Sequence, residues 1–276
     1  MQVSPFVVLV VLVAGLAHAS WNAVMKYLDD ANDAFVLLNL GGGLGALGLL
    51  VTAGFPRVAA LSFVGLSIAL HLAYQLALKE AYHHADFSTS YPIARGVAPM
   101  LVSLAGVVLA HERLRAWSLL GVVAVVTGVL LLSSWRTWRG ASARWALLTG
   151  VAIAAYTVCD GFGVRRAGNT AAYVGLLLTV QSSAWVVMGL RRRAHRVVAV
   201  RPLTWGIGAG LLSVVAYGLV LWAQTRAPLG VVSALRETGV LWAAVFGALV
   251  FHEGRLRTLL VPSAVIALGV ACLSIS

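Results

Sequence analysis

Apolar residues dominate this chain in long runs, and most polar residues gather in short clusters between the runs. Ten stretches have about the 20 residues that a helix needs to cross a bilayer. They cover 4–26, 34–53, 61–80, 87–110, 116–134, 145–164, 170–190, 203–224, 229–251 and 257–275. In hydrocarbon an apolar run must be helical, because only a helix satisfies its own backbone donors and acceptors. The pattern therefore predicts an all-α integral membrane protein of ten transmembrane helices. The linkers leave no room for a soluble domain. The first stretch lacks a basic start, and HASWNAVMKY makes a poor cleavage site, so it reads as a span and not as a signal peptide.

Composition supports lipid as the solvent. The 276 residues are 61% hydrophobic and 11% charged, with a mean hydropathy of +0.92. That is too little polar surface for water to cover. The net charge of +11 does not indicate nucleic-acid binding, because the arginines are spread over loops instead of one face. They serve topology and surface anchoring. Loops after odd-numbered spans carry twice as many Lys and Arg as loops after even-numbered ones, which puts both termini outside by the positive-inside rule. The two cysteines, Cys159 and Cys272, fall inside spans. No disulfide framework, metal-ligand spacing or cofactor motif is expected.

The chain also matches itself. At an offset of 141, ARGVAPMLVSLAGVVLAHE (94–112) falls on LRETGVLWAAVFGALVFHE (235–253). Arg95 meets Arg236, Gly106 meets Gly247, His111 meets His252 and Glu112 meets Glu253. Across a two-residue gap, at an offset of 143, Tyr74 meets Tyr217, and at an offset of 135 AGLAHASWNAVM (14–25) falls on TGVAIAAYTVCD (149–160). Two five-span repeats, 1–140 and 141–276, are expected. An odd span count inserts them with opposite orientations, so the repeat is inverted around a central cavity.

Polar residues inside the runs are the candidates for chemistry. Arg95 lies mid-run in SYPIARGVAPM, where an arginine costs roughly 2.5–3.5 kcal/mol on the insertion scale. Pro92 and Pro99 are expected to break its helix, with Tyr91, Arg95 and Pro99 on one face. The alternative is an Arg95 nearer the helix end that snorkels to the interface. Arg236, Asp160 and Glu237 complete a formally neutral set, expected as one central cluster. Arg236 and Glu237 point about 100° apart and need not pair. His18, Trp21 and Asn22 in the first span, with Tyr74 and Gln75 in the third, Tyr156 in the sixth and Tyr217 in the eighth, form polar and aromatic stripes. Such stripes serve packing as readily as binding, although amides in lipid need partners. His18 belongs to the residue type that changes charge near neutral pH, and a hydrogen-bonded structural histidine is the simpler role. Glu112 and Glu253 end the fourth and ninth spans as candidate gates, with Arg115 and Arg257 as the nearby partners. Neither His-Glu pair has the second histidine of a zinc protease.

These features together resemble the drug/metabolite transporter superfamily, EamA-like branch. The resemblance rests on ten spans in five-plus-five order, YPIARGVAP entering the fourth span, glutamates closing the fourth and ninth, and the stretches ASWNAVMKY and YTVCDGFGVR. It implies a ten-helix basket whose cavity is lined by spans one, three, four, six, eight and nine. It further implies a secondary transporter in a bacterial cytoplasmic (inner) membrane, an exporter of small metabolites or amino-acid-like solutes by alternating access. Both termini would then be cytoplasmic, opposite to the charge count. The second copy, SALRETG, lacks the prolines of the first, so the halves need not move alike. The expected partners are a small-molecule solute and the lipid bilayer. Protons are a candidate coupling ion, with Asp160 or Glu237 as carriers. An uncoupled facilitator and a non-transporting sensor or structural subunit remain as alternatives, and no enzyme activity is expected.

Overall fold

The computed structural model describes residues 3–27, 31–84, 87–131, 141–192, 200–250 and 260–275. Among them the chain is helical throughout, with no strand. In order the helices are α1 (Pro5–Tyr27), α2 (Ala31–Ala53), α3 (Leu61–His84), α4 (Phe87–Leu109), α5 (Ala116–Leu131), α6 (Ala141–Arg166), α7 (Thr170–Arg192), α8 (Val200–Gln224), α9 (Leu229–Arg236), α10 (Gly239–Leu249) and α11 (Leu260–Ser274). Among the described residues seven segments are long and apolar enough to cross a membrane, one of them running through α9 and α10. Three shorter apolar helices accompany them.

The burial pattern is that of a protein dissolved in lipid. Leu76, Leu104, Leu260 and Val261 are exposed, whereas Arg95, Asp160, Arg236 and Glu237 are buried. Water would favour the reverse.

Where each helix stops has a local cause. Gly54 follows α2 and Gly168 follows α6, each with φ near +76°, the left-handed region that glycine enters without penalty. Asn169 then caps α7, its Oδ1 accepting the N–H of Ala171 at 2.8 Å. At the end of α4 the left-handed position is taken by His111, with φ 51°. The Glu112 N–H reaches back to the Gly106 carbonyl at 3.0 Å and closes the turn.

Two expectations about helix breaks are overturned. α4 continues through Pro92 and Pro99 to Leu109, since a proline in a buried helix can bend it without ending it. The break falls instead in the proline-free copy. Between α9 and α10 the bonds shorten to the i→i−3 pattern: Glu237 N to Ala234 O at 3.0 Å, Thr238 N to Leu235 O at 3.1 Å and Val240 N to Glu237 O at 2.9 Å. The Thr238 hydroxyl also donates to the Leu235 carbonyl, at 2.7 Å. A side-chain hydroxyl competing for a helix carbonyl favours such a turn.

The main helix pairs are α2 with α7, α3 with α6, α5 with α11, α2 with α8, α4 with α6 and α1 with α8, followed by α1 with α10. Small residues permit the closest of these contacts. A methyl added to Gly121 would stand 2.9 Å from the Gly269 carbonyl, and one on Gly269 equally close to the Gly121 carbonyl.

Candidate functional site

Seven helices, α1, α3, α4, α6, α7, α8 and α9 with the turn that follows it, supply the buried polar and aromatic side chains. From α4, Arg95 sends its Nε to within 2.7 Å of Glu237 Oε2. Arg236 Nη2 stands 3.6 Å from the other oxygen, Oε1. Arg95 and Arg236 are each 6% exposed and Glu237 is fully buried. The snorkelling alternative for Arg95 therefore does not apply: the guanidinium is neutralised inside the protein. The tight turn after α9 explains how adjacent Arg236 and Glu237 come near each other, because it changes the angle between their side chains.

Asp160 does not join this group. Among the described residues no arginine pairs with it. Tyr173 of α7 donates to its Oδ1 at 2.9 Å, and Tyr217 of α8 donates to its Oδ2. The expected single cluster is thus two: an arginine-rich one with Glu237, and a tyrosine cage around Asp160. Aromatic rings lie between them. His71 of α3 stacks on Tyr156 with centroids 4.0 Å apart and meets Tyr217 edge-on at 6.1 Å. Tyr74 meets Tyr156 at 5.6 Å. His71 is fixed by its own helix, Nδ1 lying 2.9 Å from the Ser67 carbonyl. Tyr156 packs with Ala94 and Ala98 beside Arg95. The aromatic stripe thus both packs the interior and joins the two polar groups.

On α1, His18 lies within electrostatic range of Arg95 and Arg236, and the Trp21 ring meets it edge-on at 5.0 Å. Asn22 satisfies its amide on its own helix, donating to the His18 carbonyl at 2.7 Å. Gln75 is half-buried on α3. The Tyr91 side chain and all of Glu253 lie outside the described residues.

A second arrangement closes one end. Glu112 projects from the α4–α5 loop, and its Oε2 accepts the Leu229 N–H at 2.9 Å, capping the first turn of α9. Its Oε1 accepts from Arg165 Nη2 at 2.7 Å. Arg165 ends α6 and also donates to the carbonyls of Gln224 at 2.8 Å and Ala227 at 3.1 Å. The partner of Glu112 is therefore Arg165 and not the expected Arg115, because the helix ends bring distant loops closer than the next loop residue. Nearby, Arg57 N–H donates to the Ala167 carbonyl at 3.0 Å, so four loops meet at this end. Between it and Glu237 lies an apolar plug of Val102, Ala154, Val158 and Leu229.

The resemblance implies a central cavity; Arg95, Arg236 and Glu237 are almost closed to solvent. A cavity of about 540 Å³ lies elsewhere, among α1, α2, α7 and α8, with an almost wholly apolar lining that includes Phe6, Leu49 and Trp222. Among the described residues no three of His, Cys, Asp and Glu gather to hold a metal ion.

No family model and no curated protein sequence matches the chain. A protein of known crystal structure shares its fold, with a TM-score of 0.73 over 97% of this chain and 94% of that one, at 15% identity. At that identity the likeness concerns the fold alone.

Proposed function

We propose that this integral membrane protein is a secondary transporter of small metabolites or amino-acid-like solutes, most simply an exporter of the EamA-like kind in a bacterial inner membrane. The ten spans would form two inverted five-helix repeats, α1–α5 and α6–α11, with α9 and α10 acting as one span. The observation that carries this reading is the Arg95–Glu237–Arg236 group. It is buried deep within otherwise apolar helices, and each half contributes an arginine. Ionisable groups at membrane depth mark solute or ion routes far more often than they stabilise a bundle.

Two further facts support it. Exchanging the halves turns the α3/α6 contact into α8/α1, and α4/α6 into α10/α1, while α2/α7 and α5/α11 map onto themselves; the extensive α2/α8 contact has only a weaker counterpart in α7/α3. Apart from that pair, this is the packing expected of a two-fold axis in the membrane plane. The Glu112–Arg165 closure and its apolar plug also seal one side of the buried group, as alternating access requires of each resting state.

The test is counterflow in proteoliposomes, over a panel of labelled amino acids, phosphonates and small carboxylates. Accumulation above empty liposomes is expected for at least one class. Accumulation that also responds to a proton gradient identifies a coupled transporter, and gradient-independent counterflow a facilitator. Absence of flux across the panel would argue for a sensor or structural subunit.

A further inference from the structure

From the arginine-rich group we infer that the site binds the carboxylate of a monoanionic solute, held mainly by Arg236. Three observations lead there. Arg236 is 94% buried (6% exposed), yet among the described residues its Nε and Nη2 reach no hydrogen-bond acceptor. The 3.6 Å approach to Glu237 is an ion pair beyond hydrogen-bond length. A guanidinium is a planar fork of donors that fits a carboxylate in bidentate fashion.

The buried polar atoms left without a hydrogen bond among the described residues include donors and acceptors: the Arg236 Nε and Nη2, the Trp21 indole N–H, and both carboxylate oxygens of Glu237. The Trp21 indole N–H is buried with no acceptor among the described residues, and it lies beside His18 on the helix that packs against α9 and α10. An indole N–H, like a guanidinium, can only donate. A carboxylate brings the two acceptor oxygens that the Arg236 fork lacks.

Charge then selects the ligand's valence. Among the described residues Glu237 faces both guanidiniums, 2.7 Å from Arg95 and only 3.6 Å from Arg236, so Arg236 keeps a positive charge incompletely answered in a site nearly closed to solvent. Asp160 does not cancel it, being held by two tyrosines beyond the aromatic bridge. A monoanion answers that charge, whereas a dianion would exceed it at similar desolvation cost. Next to the arginines, Tyr156, Tyr74 and His71 offer ring faces and edges to an apolar or planar body.

The inference deepens the transport reading and rests on it for the solute's passage; the binding chemistry is tested separately. Thermal unfolding of the purified full chain would be followed with acetate, benzoate and phenylacetate, each beside its neutral amide, at fixed ionic strength. At least one carboxylate is expected to raise Tm by roughly 5 °C at a hundred-fold excess over Kd, with no shift from its amide. Arg236→Gln should weaken that binding at least ten-fold. Arg226→Gln, at an exposed arginine stacked on Trp222, should leave it unchanged. Should Arg236→Gln fail to fold, Trp21→Phe removes one donor and is expected to weaken the carboxylate alone. Equal shifts from acid and amide, no shift from any acid, or full binding in Arg236→Gln or in a folded Trp21→Phe would each overturn the inference. Carboxylate binding without counterflow would keep the site and remove the transport reading. Counterflow of a neutral or cationic solute unaffected by Arg236→Gln would do the opposite.

Discussion

Glu237 faces two guanidiniums with a single carboxylate, and that ratio governs what each substitution does. Glu237→Gln removes the carboxylate that both buried guanidiniums face and is expected to destabilise by about 3–5 kcal/mol, read as a fall in unfolding temperature in detergent. Arg95→Gln combined with Glu237→Gln should cost less than the sum of the single changes, since together they remove both members of the 2.7 Å pair instead of one. Around Asp160, Tyr217→Phe and Tyr173→Phe should each cost about 1–3 kcal/mol for the lost hydroxyl. Both arginines and both acids were legible in the sequence, because a charge inside an apolar run is expensive and so stands out. Their pairing was not, since it depends on which helices meet. Tyr173 escaped notice because a tyrosine near the start of a span resembles an interfacial anchor; the signal available was its hydroxyl, which needs a partner once buried. Arg165 was counted as an ordinary loop charge for the same reason: Gln224 and Ala227, whose carbonyls it bonds, lie about 60 positions away.

Helix positions were the most legible feature. Apart from the ninth span, the structure matches each apolar stretch with one helix whose ends differ by a few residues, because the same run of residues sets both the helix and its lipid-facing length. The break in the ninth was not legible. Proline is the usual signal for one, and here the turn arises from Thr238 and Gly239 next to a buried carboxylate. A methyl on Gly239 would meet the Gly15 carbonyl at 2.9 Å, so Gly239→Ala should push α1 from α10 and cost about 1–3 kcal/mol. Gly247→Ala, on the same helix with open space around it, should be neutral or slightly stabilising through helix propensity. Opposite signs in the two unfolding curves would tie the cost to the α1 contact, and equal effects would assign it to α10 itself. The His-Glu motif also gains an explanation here. In its first copy the histidine turns the chain out of the helix and the glutamate crosses to cap another. The second copy, His252 and Glu253, lies outside the described residues.

For the molecule as a whole, the end closed by Glu112 and Arg165 should open when that link is cut. A cysteine replacing Gln224, buried against α6, is expected to resist a membrane-impermeant maleimide in the native background. Adding Arg165→Gln should make it react, and protection that survives would mean that the apolar plug alone holds this end shut. The pairing of Arg95 with Glu237 has a further consequence, set by the order of synthesis. The two residues are 142 positions apart, and at 5–20 residues per second the second follows the first by roughly 7–28 s. Throughout that interval α4 carries a cation whose Glu237 partner has not been made. Its insertion is expected to be provisional, with Arg95 held at the membrane boundary or in the insertion machinery until α9 follows. A ribosome stalled before Glu237 would therefore leave a nascent chain that quality-control proteases can recognise.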